Sequence, residues 1–281
     1  MAFITHRSCL LGSSLLLLVL ATGCTQATST KTTASQPESK QTSRINTVSS
    51  TRKKTQPYAN WHTVKSVKLP ILMYHSIAHG NTLRVPAKQF KAELNYLKQH
   101  HYYCLTADEA VHVLKTRQVP QKKLVWITLD DGYQDNYTKA WPLLKQTHSH
   151  ATINFITSFA HKRHHLTLAT AKTMKASGVV DFQSHTVHHL DLNRLTYRQQ
   201  FAEMSGSKTW LDQHLSQHTQ VVCYPAGRAN AQTSRAAKLA GYQIALSTTP
   251  GIATNHSPRY NLPRQRVTPG MSLESFQSLL H

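Results

Sequence analysis

Lys123-Leu124-Val125-Trp126-Ile127-Thr128-Leu129-Asp130-Asp131-Gly132 runs from a lysine through an apolar stretch into two adjacent carboxylates and a glycine. Leu124, Val125, Trp126, Ile127 and Leu129 are rich in β-branched and aromatic side chains, the pattern of a strand buried on both faces. Such strands belong to parallel sheets, and α/β folds place their chemistry at the carboxyl ends of those strands. The chain has only 12 Asp plus Glu, so an acidic pair at a core strand's end stands out. Asp-Gly is also a common turn dipeptide, and on local grounds a solvated turn remains open.

The flanking chain alternates between two periodicities. Residues 69–77 read as a first strand, with Pro70 at its entry where a missing N–H is tolerated. Phe90, Leu94 and Leu97 predict a helix over 86–100, and 102–105 a short strand. Thr106-Ala107-Asp108-Glu109 is a capping-box pattern that opens the next helix. Beyond the acidic pair, helices are expected over 136–146, 170–176, 197–215, 232–240 and from 272, with strands over 151–157, 179–183, 221–224, 243–247 and 264–267. Strand and helix in strict alternation argue for an α/β fold, a parallel sheet with helices outside, open or closed into a barrel. No internal repeat is visible, and one folded domain is expected over 61–281.

Charge and the N-terminus bear on where such a domain works. Lys plus Arg number 32, the net charge is +20 and the pI is near 10.0, which favours anionic partners, either nucleic acid or the acidic polymers and lipids of a cell envelope. His6 and Arg7 precede an apolar run over 10–21, signal-like and short for a membrane span. Leu20-Ala21-Thr22-Gly23-Cys24 follows and resembles the bacterial lipobox, in which the cysteine is lipidated; a plain secretory signal is the alternative. Residues 1–24 are thus expected to be a lipoprotein-type signal, and export removes nucleic acid from the partners. Residues 25–60 are rich in Thr, Ser, Gln and Lys, and read as a disordered tether with a reach of roughly 30 Å. Lys31, Lys40, Arg44, Arg52, Lys53 and Lys54 face only Glu38 there, suiting either attachment to an anionic envelope or a plain spacer. Cys104 and Cys223 remain in the folded part and are expected as buried free thiols.

The chain holds 19 histidines, so spacing alone selects nothing. His75/His79, His161/His165, His185/His189 and His214/His218 all share the i, i+4 interval. Context separates them. His161/His165 lies in a basic loop with Lys162, Arg163 and His164, and His214/His218 at a polar helix end. His185/His189 directly follows an apolar strand, as Asp131 does, and parallel strands end on the same side. One Asp and two His leave open positions on a divalent metal, as a catalytic site requires.

Thr128-Leu129-Asp130-Asp131-Gly132 resembles the first motif of the polysaccharide deacetylases, the NodB-homology carbohydrate esterases. His185-Thr186-Val187-His188-His189 resembles their second motif, and Tyr224-Pro225-Ala226-Gly227 is similar to a third-motif variant of exopolysaccharide deacetylases. The resemblance spans residue 69 to the C-terminus. It implies a distorted (β/α) barrel whose metal, most often Zn2+ with Co2+, Ni2+ or Mn2+ as alternatives, is held by Asp131, His185 and His189. It implies Asp130 as catalytic base. Tyr224, Pro225 and Gly227 fall on the third motif, and Arg264 is expected to steady the base carboxylate. The usual third-motif Arg and a late Leu-x-His motif are missing. In members acting on poly-N-acetylglucosamine the acid sits on an early strand, which His75 in Met73-Tyr74-His75 matches.

The implied chemistry is hydrolysis of an N-acetylhexosamine amide. Asp130 accepts a proton from water, and His75, protonated, donates to the leaving amine. Tyr133, Trp141 and Tyr224 are candidates for stacking on sugar rings. The expected partner is an N-acetylated polysaccharide, poly-β-1,6-N-acetylglucosamine first. Peptidoglycan, a chitooligosaccharide, acetylated xylan, or an inactive glycan-binding wall module are the rivals. Oligomeric state is not legible.

Overall fold

The computed structural model describes residues 57–281. The expected signal segment, Cys24 and nearly all of the expected tether lie outside these residues. The folded part begins before the expected boundary at 61: Tyr58 stacks on His112 with ring centroids 3.8 Å apart, and Trp61 meets Tyr103 edge-on.

Eight parallel strands organise the domain: β1 Ile71–Tyr74, β2 Tyr103–Cys104, β3 Leu124–Asp131, β4 Ala151–Phe155, β5 Val180–Ser184, β6 Val221–Cys223, β7 Ile244–Pro250 and β8 Leu262–Arg266. Their spatial order is β1-β8-β7-β6-β5-β4-β3-β2. A further pairing of β1 with β3, Leu72 opposite Ile127, closes seven of them into a barrel, with β2 attached to the entry half of β3. This is the distorted (β/α) barrel. Helices α1 Ala87–Gln99, α2 Ala107–Thr116, α3 Trp141–Thr147, α4 Leu168–Ala176, α5 Tyr197–Leu215, α6 Ala231–Leu239 and α7 Leu273–Ser278 connect and cover the strands. Thr106 and Glu109 form the expected capping box of α2, and Thr196 with Gln199 forms a second one at the start of α5. These reciprocal bonds satisfy amides that have no intrahelical partner.

All eight residues of β3 are buried, and its two-residue period divides the core. Val125, Ile127 and Leu129 pack outward with Phe90, Leu94, Ile153 and Phe182 beneath the surrounding helices. Leu124 and Trp126 face the lumen with Ile71, Val221, Ile244 and Leu262, and α2 plugs that end through Ala110, Val113 and Leu114. Further along the lumen side come Thr128 and Asp130, so polarity rises toward the strands' carboxyl ends. Trp126 Nε1–H donates to Thr152 Oγ1 at 2.8 Å and Thr128 Oγ1–H to the Leu72 carbonyl at 2.7 Å.

The helix expected over 136–146 is in two parts, a π-helical turn Asn136–Ala140 followed by α3. The wider turn frees Asn136 Nδ2–H to donate to the His75 carbonyl at 2.9 Å, an arrangement a regular helix start does not supply.

A further buried carboxyl lies against β1. Glu93 on α1 accepts from Tyr74 Oη at 2.8 Å and Gln89 Nε2 at 2.9 Å, with no cation near. Burial pushes it from 4.5 up to about 7, against the lowering effect of those two bonds. A raised carboxyl binds its proton more tightly when folded, so the stability it lends is full below 4.5 and lost as pH rises through about 7. Glu93→Gln is therefore expected to raise the unfolding temperature at pH 8 and change it little at pH 4.5. Thermal unfolding of both proteins across that range measures the effect.

Candidate metal and catalytic site

Asp130 and Asp131 end β3, His75 follows β1 by one residue, and His185 follows β5 by one. All lie at the carboxyl ends of the strands, where they line a cavity of about 230 Å³ with Ala226 and Arg266 at its wall. A larger hollow of about 310 Å³, beside Asp108, Asp181 and His218 at the opposite strand ends, holds no comparable constellation.

The two carboxylates do different things. Arg264, fully buried on β8, meets Asp130 fork to fork: Nη1 lies 2.9 Å from Oδ1 and Nη2 2.7 Å from Oδ2. Its other N–H groups reach Thr128 Oγ1, the Ser247 carbonyl and Cys223 Sγ, so all five donors are used. Asn154 Nδ2–H adds a 2.7 Å bond to Asp130 Oδ1. Burial alone would raise the Asp130 carboxyl, but the Arg264 charge overrides it and holds Asp130 far below the usual carboxylate range.

Asp131 has no such partner. Its Oδ1 is buried and accepts no hydrogen bond, yet stands 3.3 Å from His185 Nε2 and 3.5 Å from His189 Nε2. An orphaned carboxylate oxygen converging with two imidazole nitrogens is the donor set of a three-ligand site with room for water. His185 Nδ1 lies 2.8 Å from the Cys223 carbonyl. Donation there fixes the tautomer with the Nε2 lone pair turned to Asp131. Asp130, His185 and Cys223 also cluster closely, but the Arg264 guanidinium already occupies that side and would repel a cation. Asp131, His185 and His189 therefore fit a divalent metal.

Left-handed backbone builds this convergence. Asp131 (φ 75°), Thr186 (φ 68°), His189 (φ 60°) and Ala226 (φ 50°) are all non-glycine residues at positive φ around the cavity, the kind of strain that collects at functional sites. Strand alternation would send Asp131 to the face opposite Asp130. The turn at Asp131 and Gly132 breaks it and brings both carboxylates to one site. Gly132 (φ +71°) has no substitute there, since a Cβ would stand 2.5 Å from the Phe155 ring.

His75 Nε2 stands 3.9 Å from Asp130 Oδ2. Burial lowers its pKa, outweighing the raising pull of Asp130 and Asp131. Its backbone is held from the π-helical side, where Asp135 accepts from Ser76 Oγ at 2.5 Å and from Ile77 N–H at 2.8 Å.

Two expectations for sugar stacking change, and the third motif is placed differently. Tyr224 is fully buried among Met204, Ala236 and Tyr242, so its ring serves the core and cannot reach a glycan. Trp141 stacks on Tyr137 and donates to Ser177 Oγ, outside the residues that line the cavity. Pro225 is buried, and Gly227 (φ +67°) lets Thr248 approach to where a Cβ would clash at 2.1 Å. The third segment therefore lines the cavity through Ala226, with Thr248 of β7 beside it. Tyr133 stays beside the site: burial and the Asp131 carboxylate push its phenol up to about 12. Cys104 and Cys223 are free thiols, the first only partly buried. Asp135, Asn136 and Glu203 escape sequence reasoning, although a scarce acid on a helix's apolar face, as Glu203 is, was a usable signal.

A polysaccharide deacetylase family model matches residues 117–245. YxkH of Bacillus subtilis, a polysaccharide deacetylase by provisional name, is 45% identical over 226 residues, 80% of this chain and 81% of that protein. A poly-β-1,6-N-acetyl-D-glucosamine N-deacetylase of Staphylococcus epidermidis is 28% identical over 239 residues, 79% of this chain and 80% of its own. Among solved structures, the Streptococcus pyogenes deacetylase PplD in complex with acetate superposes with a TM-score of 0.73 at 37% identity, covering 76% of this chain and 99% of that one.

Proposed function

Given that the chain belongs to the polysaccharide deacetylase family, we propose that it uses one divalent metal ion to remove N-acetyl groups from an exported polymer of N-acetylglucosamine. The observation that carries this reading is the orphaned Asp131 Oδ1 aimed between His185 and His189 beside an Arg264-held Asp130. Zn2+ suits two imidazoles and a carboxylate with an open position. When bound there, the ion supplies Lewis acidity, polarising the acetyl carbonyl and bringing the pKa of water from 15.7 toward roughly 7.

The protein's own groups manage the proton. Asp130, fixed in place by Arg264 and Asn154, accepts a proton from the attacking water. The proton passes on to His75 Nε2, 3.9 Å away. His75 then donates that proton to the amide nitrogen as the C–N bond breaks, giving acetate and a free amine. An amine leaves poorly without such a donor.

Poly-β-1,6-N-acetylglucosamine is the first candidate polymer, supported by the staphylococcal relatives' names and by the place of His75 directly after the first barrel strand. A second reading, a wall glycan bearing carboxylates, has one observation in its favour. Exposed Lys162 and Arg163 sit in a loop bonded to the turn after Asp131, through Gln134 N–H to the His164 carbonyl and Leu166 N–H to the Gly132 carbonyl, both 2.8 Å. Arg266 lines the cavity itself, and no ion pair among the described residues engages any of these three. We further propose that the enzyme works outside the cell, held by a lipidated Cys24 and its basic tether.

Acetate release from each polymer, before and after chelation and with metal added back, tests the reading. The expected result is release that stops on chelation and returns with Zn2+. Retention of glycan without any acetate, metal present, would favour a binding module instead.

A further inference from the structure

Glu203 lies on α5, which packs against the segment carrying two of the metal-site histidines. Its carboxylate is buried and accepts from that one segment three times. Val187 N–H and His188 N–H donate to Oε2 at 3.1 and 2.8 Å, and His188 Nδ1 lies 2.6 Å from Oε1. No lysine or arginine among the described residues pairs with it. Two more contacts come from the same helix face. Gly206, three residues on, leaves space for Val187, because a Cβ there would stand 3.2 Å from Val187 Cγ2. Ser207, four residues on, is bonded at 2.9 Å to Ser184 Oγ, which accepts from Thr186 N–H at 3.2 Å. Residues three and four apart share one helix face, so a single stripe of α5 touches residues 184, 187 and 188, on both sides of His185 and next to His189.

The bend between the histidines needs such a bed. Thr186 and His189 hold φ of 68° and 60°, a conformation a β-branched residue keeps only when its surroundings over-determine it. Two successive amides facing the protein interior also need acceptors, and a carboxylate takes both with charge-assisted strength. We propose that Glu203 is a positioning residue for the metal centre: by gripping the amides of Val187 and His188 it holds the bend that aims His185 and His189 at one ion. Gly206 and Ser207 complete the bed.

This rests on Asp131, His185 and His189 being metal ligands, and the test separates the two claims. Zn2+ affinity is measured on the full chain by competition with a chromophoric chelator, for the wild type, Asp131→Asn, Glu203→Ala, Glu203→Gln and Gly206→Ala, with circular dichroism and thermal unfolding on each. The wild type is expected to bind one Zn2+ and Asp131→Asn to lose it. Glu203→Ala is expected to bind about 10–100-fold more weakly, the usual range for groups that orient ligands. Glu203→Gln should recover part of this, since its amide oxygen still accepts from a backbone N–H. Gly206→Ala improves helix propensity but pushes on Val187, so weaker binding in a folded protein separates positioning from stability. Saturating Zn2+ should restore deacetylation in Glu203→Ala. Affinities of Glu203→Ala and Gly206→Ala within about threefold of wild type, well short of that range, would overturn the proposal while leaving the ligands standing. A wild type that binds no Zn2+ would overturn both. Should Glu203→Ala fail to fold, Glu203→Gln and Gly206→Ala decide by the same criterion.

Discussion

Asp130→Asn is expected to lower turnover of an N-acetylated glucosamine polymer by about 10²–10⁴, the contribution of one positioned proton-transfer group. Zn2+ binding should survive, because the converging ligand atoms are those of Asp131, His185 and His189. The substitution also changes what Arg264 sees. An asparagine offers one oxygen and one NH2 to a guanidinium fork that needs two acceptors, so Nη1 or Nη2 then faces a donor. Some loss of stability must accompany the loss of rate, and initial rates at saturating polymer on protein shown to be folded and loaded with Zn2+ keep the two apart. Near-wild-type acetate release by that protein would remove Asp130 from the proton path.

Arg264→Met has the largest expected effect on stability. It leaves Asp130 buried with no countercharge and with Asn154 and the Cys223 thiol as its remaining partners. Breaking a buried pair from one side costs about 3–5 kcal/mol, which for a domain of this size lowers the unfolding temperature by roughly 6–20 °C. Acid dependence should change as well. Arg264 holds the folded Asp130 carboxyl below its ordinary 3.8, so the pair's stability is present above that value and is lost as pH falls beneath it. Unfolding curves from pH 3 to 7 should therefore fall steeply at the acid end in the wild type and more shallowly in Arg264→Met. Replacing both partners, Asp130→Leu with Arg264→Met, is expected to recover much of the stability and none of the activity, because removing a buried pair together is far less costly than orphaning one member. Equal unfolding temperatures for Arg264→Met and the double variant would contradict this account.

Much of the site is legible in local sequence. The strand before Asp130 declares itself by five apolar residues and its end by two acids and a glycine. Helix α5 has the bounds its amphipathic spacing predicts, 197 to 215. His185 and His189 are singled out from three other pairs by the strand in front of them, a criterion that needs no contact information. Arg264 is different. Its partner Asp130 is 134 residues away, and in a chain with 32 basic residues only the family resemblance, and nothing local, points to the one that is buried. Tyr224 fails for a similar reason. An aromatic ring after a strand reads equally well as a glycan platform or as core, and only the packing of α5 and α6 over it makes it core.

By itself the sequence determined the alternation of strands and helices, and hence that Asp131, His75 and His185 would stand at the same ends of parallel strands, because periodicity and turn residues act over a few positions. The tertiary structure decided which way each group faces. Pairing of β1 with β3 closes the barrel and brings His75 to Asp130, and a left-handed turn at Asp131 cancels the alternation that would have parted the two carboxylates. The bed on α5 shapes the bend between the histidines. Those choices depend on neighbours far off in the chain, whose packing alone can hold a backbone in conformations that its own residues disfavour.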